Sequence, residues 1–435
     1  MTVIRARQLI DGRGGPALAN AAVVVEGRRI HAVGPGTDVA PPPGAEIVEL
    51  PEATVLPGFI DTHVHLSAFN TTTFQNYRAA KLEVGPELQM LHALVHAQLC
   101  LERGFTTLRH LGWVTYRGQD TRAMVALRDA IDARLLPGPR LLVAGLAIIT
   151  CAHLDLLLPR TVPRRRGVTA DGPWGLRRLV RQNLRLGADL IKTSASGGGG
   201  TDREDFDVRN MTQEELDAIV DEAHAFHRRC ACHCVTAEAQ RMAIRAGVDT
   251  LEHIVFTDDE AIAMIRAEER IVVPTLSIRT DAAIQARRRL GAPADDLERM
   301  RLFQRHAETA FKRVHQAGIK LAMGTDTALE PAMGENAGEL ALYVRYGMTP
   351  AEAIQTATRN AAEALGLERE LGTLEPGKLA DLVVVRGNPL QDITLLQDRD
   401  AILLVMKDGV IHVDRRPGRE RHVVAPGARP WVIRV

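Results

Sequence analysis

Two histidines stand two residues apart in GFIDTHVHL, His63 and His65, at the end of a β-rich run. Residues two apart on a strand share a face, so both imidazoles can reach one metal ion while Val64 turns the other way. Further along, His233 follows the run CAC, His253 lies in VDTLEHIV, and Asp326 closes LAMGTD. Each stands at the end of a strand-like segment. Lys192, in ADLIKTSASGGGG, ends another such segment among apolar residues. A buried ammonium is costly unless it is neutralised or paired. Lys192 therefore has two readings: a core lysine with a partner, or a neutral amine that takes up carbon dioxide. The carbamate so formed is a bidentate anion able to bridge two cations.

The elements that must position these groups follow a simple order. Residues 1–57 hold short alternating or β-branched runs such as AAVVVEGRRIHAVG, punctuated by Gly and Pro, which read as hairpins. Similar runs return in LADLVVVRG, AILLVMKDGVIHV and PWVIRV, with a hairpin signal at Asp408-Gly409. Between them eight apolar runs alternate with helical patterns: ATVLPGFIDTH, GFTTLRHL, RLLVAGLAI, ADLIKTSA, CACHCVTA, VDTLEHIV, RIVVPTLS and IKLAMGTD. Eight such units predict an α/β fold, a closed (β/α)8 barrel of parallel strands. TQEELDAIVDEAHAFHRR and TPAEAIQTATRNAAEAL read as two of its helices, each opened by a Thr and an acidic first turn. The chemistry-bearing residues then sit at the C-terminal ends of strands, the catalytic face of such barrels.

Composition narrows the partner. The 435 residues balance 54 Lys and Arg against 54 Asp and Glu, so no net field favours nucleic acid or an anionic membrane, and a small molecule is the expected partner. The start MTVIRARQLIDGRGG lacks a secretory pattern and no stretch approaches 18 apolar residues, so a cytoplasmic location is expected. Five cysteines, an odd count, argue against a disulfide framework. In CACHC at 230–234 the three thiols fall on one strand face and His233 on the other, which predicts packed thiols and not a thiolate metal knot. Gly197 to Gly200 lack the Lys-Ser or Lys-Thr of a phosphate-cradling loop; they read as glycines that let backbone approach a substrate.

Taken together, GFIDTHVHL, Lys192 before its Gly-rich loop, His233, LEH at 251–253 and GTD at 324–326 resemble the amidohydrolase superfamily, in the subtype with two metals bridged by a carboxylated lysine. LGTLEPGKLADLVVV at 371–385 resembles that family's return into a small β-sandwich built from both termini. The resemblance implies a composite sandwich of 1–57 and 370–435 around a barrel of 58–369. It implies His63, His65 and Asp326 on the more buried metal, His233 and His253 on the more exposed one, and N6-carboxylated Lys192 between them. Zinc is the first choice for such ligands, with cobalt, manganese or iron able to replace it. The cations would activate water and polarise a carbonyl, and Asp326 would move the proton to the leaving nitrogen.

GFTTLRHLG at 104–112, GPRLLVAG at 138–145, SGGGG at 196–200 and GMTPAEAIQTATRNAAEALG at 347–366 are similar to the branch of imidazolonepropionase, Xaa-Pro dipeptidases, and phenylurea, molinate and ochratoxin hydrolases. His153 in ITCAHLD takes the place of a histidine that contacts the scissile carbonyl there, although Cys151 and Ala152 replace glycines. Arg109-His110 departs from relatives that carry an acid after the arginine, and no second histidine follows His233. Ser196, Gly197, Gly198 and Arg203 are expected near substrate; a carboxylate-bearing substrate would need an arginine, for which Arg203 and Arg279 are candidates. Arg164, Arg165 and Arg166 sit in a long 148–176 connection that can act as a lid or as solvated surface. The expected activity is hydrolysis of an amide, peptide, urea or carbamate C–N bond, in an enzyme expected to be a homo-oligomer. Cyclic-amide or lactone ring opening is the alternative, and a non-catalytic assembly protein on the same fold is the rival outside enzymology.

Overall fold

The computed structural model describes residues 1–68, 70–71, 83–115, 118–157, 169–199, 204–327, 333–425, 428 and 432–433. Arg203 and the cluster Arg164 to Arg166 lie outside them.

The chain begins with β1 (Thr2–Leu9), β2 (Leu18–Glu26), β3 (Arg29–Pro35) and β4 (Glu46–Pro57). β1 pairs antiparallel with β2 and parallel with β4, and β2 pairs with β3. The run ATVLPGFIDTH, read from sequence as one strand, is divided: β4 stays in this sheet and ends at Pro57, and β5 (Phe59–Val64) opens the barrel.

β5 is followed by β6 (Phe105–His110), β7 (Arg140–Leu146), β8 (Leu190–Ser194), β9 (Cys230–His233), β10 (Thr250–Glu252) and β11 (Ile271–Val273), each parallel to the one before. The eighth place belongs to 320–327, an extended segment without a regular ladder. It still closes the ring: Ala322 N donates to Val272 O at 2.9 Å on one side, and Thr62 N to Met323 O and His65 N to Thr327 O on the other. Two features stop it from being a regular strand. Asp326 has φ 55°, and Gly324 lies so close to β5 that a Cβ there would come within 2.8 Å of the His63 Cβ.

Among the described helices, α1 (Pro86–Glu102), α2 (Thr121–Asp132), α3 (Pro173–Arg185), α4 (Gln213–Ala225), α5 (Ala237–Ala246) and α6 (Asp259–Ala267) each follow a strand in turn. α7 (Asp281–Arg289) and α8 (Ala294–Gln316) follow β11, and α9 (Gly338–Arg345), α10 (Pro350–Thr356) and α11 (Arg359–Leu365) follow the eighth segment. α4 starts on a reciprocal cap between Thr212 and Glu215, and α10 on one between Thr349 and Glu352, which satisfies their first orphan N–H groups. The single helix expected over 350–365 is broken at 357–358. There Thr356 O accepts from Met323 N and Ala357 O from Ile60 N, so barrel backbone captures carbonyls that the helix would otherwise use.

β9 illustrates the barrel's two faces. Cys230, Cys232 and Cys234 are fully buried in the apolar layer shared with the helices, while Ala231 packs inside the barrel with Leu111, Ala144 and Leu190. All five cysteines are free thiols. After the barrel, β12 (Leu382–Arg386) adds to the far side of β4, then β13 (Ile402–Lys407) and β14 (Val410–Asp414) complete a seven-stranded sheet. Asp408 (φ 50°) and Gly409 (φ 73°) form the tight β13–β14 turn, as the Asp-Gly pair predicts. The sheet curls until the start of its β3 edge meets the segment that leads into β12: Ile30 N donates to Lys378 O and Ala380 N to Arg28 O, both at 2.9 Å. Val23, Val48, Val55, Leu382 and Leu404 are fully buried in the enclosed core. Each contributes about 1.5–3 kcal/mol of apolar burial to the sheet that joins β1–β4 to β12–β14; the last run, PWVIRV, does not enter it, and Val432–Ile433 pairs with Asn70–Thr71 instead.

Candidate metal centre

His63 and His65 leave the end of β5 on one face, as their spacing requires. The His63 Nδ1–H donates to Glu252 Oε2 at 2.7 Å, and the His65 Nδ1–H donates to the Gly112 carbonyl at 2.6 Å. Each ring is thereby fixed in the tautomer whose Nε2 lone pair points inward. Both meet Asp326: its Oδ1 lies 3.0 Å from His65 Nε2 and 3.4 Å from His63 Nε2. One donor atom from each of the three lies within 4.8 Å of the others, the spacing of a shared cation.

The other expected groups converge on the same rim. The His253 ring stands 4.9 Å from that of His63 and 4.6 Å from that of His233. His233 Nε2–H donates to Gly197 O at 3.1 Å and His253 Nδ1 contacts Thr275 Oγ1 at 2.8 Å, leaving one nitrogen on each ring for a ligand. Burial holds His65, His233 and His253 below the ordinary histidine range, so the imidazoles are neutral donors. Burial opposes ionisation of Asp326, but the imidazoles around it, His63 foremost, hold its carboxyl well below the usual range. His253 (φ 80°), Thr275 (φ 50°) and Asp326 (φ 55°) all adopt left-handed backbone at strand ends. Such conformations cost of order 1–3 kcal/mol each in non-glycine residues and cluster where a site needs side chains re-aimed.

Lys192 points from β8 into the same space, 3% exposed, and its Nζ has no hydrogen-bond partner among the described residues. Burial pushes its pKa down, only partly offset by Glu252 and Asp326. A buried amine without a hydrogen-bond partner, close to His233, His253 and Asp326, fits a cation-binding role better than a purely apolar core. The donor set therefore suits divalent cations of the zinc or cobalt kind.

A buried support lies beneath. Glu252 is fully buried; it accepts from Arg109 Nη2 at 2.8 Å, from Thr250 Oγ1 at 2.6 Å and from His63. Burial disfavours its charge, yet Arg109 and His63 bring its carboxyl down to about 2. Sequence reasoning missed Glu252 and the partner it gives Arg109; the available signal was two opposite charges, each on an apolar barrel strand. His110 donates to Asp120 Oδ2 at 3.0 Å and accepts from Leu66 N, so a buried carboxylate, ten residues on, stands beside it.

His153 also reaches the rim. Its ring stacks on His233 at 4.1 Å, and its Nδ1 lies 2.6 Å from Glu204 Oε1, a carboxylate that sequence reasoning did not single out. A Cβ on Gly198 would fall 2.2 Å from that Nδ1, and one on Gly197 1.8 Å from Asp205 O, so both positions require glycine. Ser196 is occupied by the loop itself: its hydroxyl accepts from Val235 N at 2.9 Å and donates to Gly197 O.

Comparison with known proteins bears on this geometry directly. The model of the amidohydrolase family matches residues 54–411, from the last strand before the barrel to the strand that follows its return. This chain belongs to the amidohydrolase family. The amidohydrolase is 30% identical over 455 aligned positions to an ochratoxinase from Aspergillus niger, covering 99% of this chain and 88% of the relative. It superimposes on a Xaa-Pro dipeptidase with methionine bound in the active site with a TM-score of 0.86 at 32% identity, over 94% of this chain and 99% of that one. A prolidase complexed with N-methylphosphonate-L-proline gives a TM-score of 0.85 at 30% identity, over 95% and 100%. The amidohydrolase is thus a hydrolase acting on carbon–nitrogen bonds, with the barrel and β-domain of its relatives. Among the described residues no helix is long and apolar enough to cross a membrane.

Proposed function

We propose that this amidohydrolase cleaves the amide bond of a small N-acyl amino acid, dipeptide, or urea- or carbamate-like molecule, with His63, His65, Lys192, His233, His253 and Asp326 holding two divalent cations. The observation that carries the reading is the partnerless buried amine of Lys192 inside a ring of neutral imidazoles. Its addition to carbon dioxide would form one N–C bond and release one proton, and the resulting carbamate would supply anionic oxygens to the cations. Bound cations, zinc for preference, supply a nucleophilic water near neutral pH and polarise the substrate carbonyl. Asp326 takes the proton of the attacking water on a carboxylate oxygen and returns it to the leaving nitrogen. His153, with its Nδ1 against Glu204 and its ring stacked on His233, presents Nε2 toward the oxygen that gains charge. Gly197 and Gly198 let the substrate lie against the backbone of their loop.

The names of the ochratoxinase and prolidase relatives support amide substrates over ring opening, and the full ligand set speaks against a non-catalytic assembly role. The barrel of 58–369 carries the chemistry in this reading, in a cytoplasmic homo-oligomer that takes a small molecule. A panel of N-acyl amino acids, dipeptides and phenylureas, assayed after loading with metal and bicarbonate, tests it. Wild type should turn over at least one class, and His63→Ala and Asp326→Asn should lose turnover while circular dichroism shows the fold retained. Full activity in either variant overturns the assignment.

A further inference from the structure

Asp61 is a fully buried carboxylate with no cation beside it. It stands on β5, two residues before His63, and both of its oxygens are taken. Oδ1 accepts from the His63 N–H at 3.0 Å and the Thr325 N–H at 3.2 Å. Oδ2 accepts from Thr325 Oγ1 and Asn336 Nδ2, both at 2.7 Å. All four donors are neutral, and among the described residues no Lys, Arg or His forms an ion pair with Asp61. Hydrogen bonds offset part of the cost of burying a charge, and a counter-ion ordinarily offsets the rest. Glu252, equally buried at the end of β10, has such a counter-ion in Arg109.

The donors have little freedom to turn elsewhere. Asn336 is fully buried, and its Oδ1 accepts from the Gly334 N–H at 3.1 Å and from the Cys100 thiol at 3.3 Å, so its amide N–H groups have to face Asp61. The Thr325 hydroxyl accepts from the Thr327 N–H at 3.3 Å, which leaves its proton for Asp61. These contacts join two backbones that carry ligands. Asp61 Oδ1 bridges the N–H of His63 and the N–H of the residue before Asp326, while Thr325 spans Asp326 to reach Thr327. Asp326 keeps its left-handed φ of 55° inside this cradle, with its own N–H on His63 O at 2.7 Å. None of the four bonds to Asp61 involves His233 or His253, the ligands expected on the more exposed cation.

We propose that Asp61 is a positioning residue for the more buried cation: its carboxylate aligns His63 with Asp326 and its charge balances the metal they hold, an inference that rests on the two-cation reading of the site. Two divalent cations bring four positive charges to the rim, against which Asp326 and a carbamate on Lys192 set two negative ones. Glu252 adds nothing to that balance, because Arg109 already neutralises it. Asp61 supplies a third negative charge from the strand that carries His63 and His65. Groups that orient metal ligands in this way change affinity by about 10–100-fold.

Cobalt titration of the metal-free full chain, read by visible absorption and by competition with a chromophoric chelator, separates the two cations. Wild type should bind two. Asp61→Asn keeps the shape but sets an amide N–H against either the two backbone N–H groups or the Asn336 amide. It should bind one cobalt ion at least tenfold more weakly, with the absorption of that ion altered, and the other within threefold of wild type. The exchange of Asp61→Asn together with Asn336→Asp returns an acceptor to every donor and keeps the charge in the cradle. Both affinities should then come back to within fivefold of wild type, and this variant decides the matter if Asp61→Asn alone does not fold. An Asp61→Asn variant that binds both ions as wild type does overturns the proposal. So does an equal loss at both sites, which would mean that Asp61 only props the barrel, and so does an exchange variant that fails to fold or stays weak at one site. A wild type that takes up fewer than two cobalt ions sinks the two-cation reading itself. One that shows these differences yet hydrolyses no amide sinks the functional reading and leaves the role of Asp61 standing.

Discussion

Replacing Glu252 with Gln separates two roles that one buried carboxylate combines. The charge of Glu252 is the buried counter-ion of Arg109, at 2.8 Å, and its second oxygen accepts the His63 Nδ1–H at 2.7 Å. Losing the charge leaves the Arg109 guanidinium buried without compensation, which costs about 3–5 kcal/mol. The carboxyl's fall from an ordinary 4.5 to about 2, with Arg109 and His63 together outweighing burial, has the same sign. The second role concerns the metal. A glutamine satisfies Arg109 only by turning its oxygen that way, which presents its amide N–H to His63 Nδ1. His63 must then carry its proton on Nε2, the nitrogen that faces Asp326, and the inward lone pair is lost. Loss of such a buried partner lowers metal affinity by about 10–100-fold. Urea unfolding of chelated protein measures the first effect without interference from the second. Competition titration against a chromophoric chelator measures the second on folded protein. An apo variant within ~1 kcal/mol of wild type, or an unchanged metal affinity, would refute the tautomer and counter-ion argument.

Two other perturbations follow from the same coordinates. Gly198→Ala puts a methyl 2.2 Å from His153 Nδ1, so the ring must leave its place on His233; kcat should fall at least tenfold in steady-state assays with metal content unchanged. Burial raises Glu339, against the pull of the Leu276 and Ser277 N–H groups, from an ordinary 4.5 to about 7. The folded state therefore binds its proton more tightly, and this group's contribution, ~3 kcal/mol at most, is present below pH 4.5 and lost as pH rises to about 7; the difference between the pH–stability curves of wild type and Glu339→Gln should show that decline.

Much of the site was legible because metal binding imposes chemistry on strand ends. The period of two in His63-Val64-His65 reports a shared face, and the histidines and Asp326 recur at the close of successive apolar runs. The CACHC segment was legible for the same reason, since alternation alone sends its thiols outward and His233 to the rim. What escaped notice depends on side chains meeting across the barrel. Nothing local joins Arg109 to Glu252, 143 residues apart, or His153 to Glu204. The irregular eighth segment was read as a strand because IKLAMGTD has strand composition. Its departure is set by Gly324 packed on His63 and by the left-handed Asp326, which a propensity cannot register. The break between α10 and α11 has a similar origin, in carbonyls claimed by β5 and the eighth segment.

The most direct test of the account is the metal-to-protein ratio, measured by plasma mass spectrometry on wild type and Lys192→Ala after loading with zinc and 13C-bicarbonate, with the carbamate carbon followed by NMR. Wild type should hold two cations per chain and one labelled carbamate that disappears in Lys192→Ala, and that variant should hold fewer than two cations, with activity tracking the second cation. A wild-type protein that hydrolyses its substrate fully while holding no metal, or a Lys192→Ala variant that still binds two cations with unchanged activity, would contradict it.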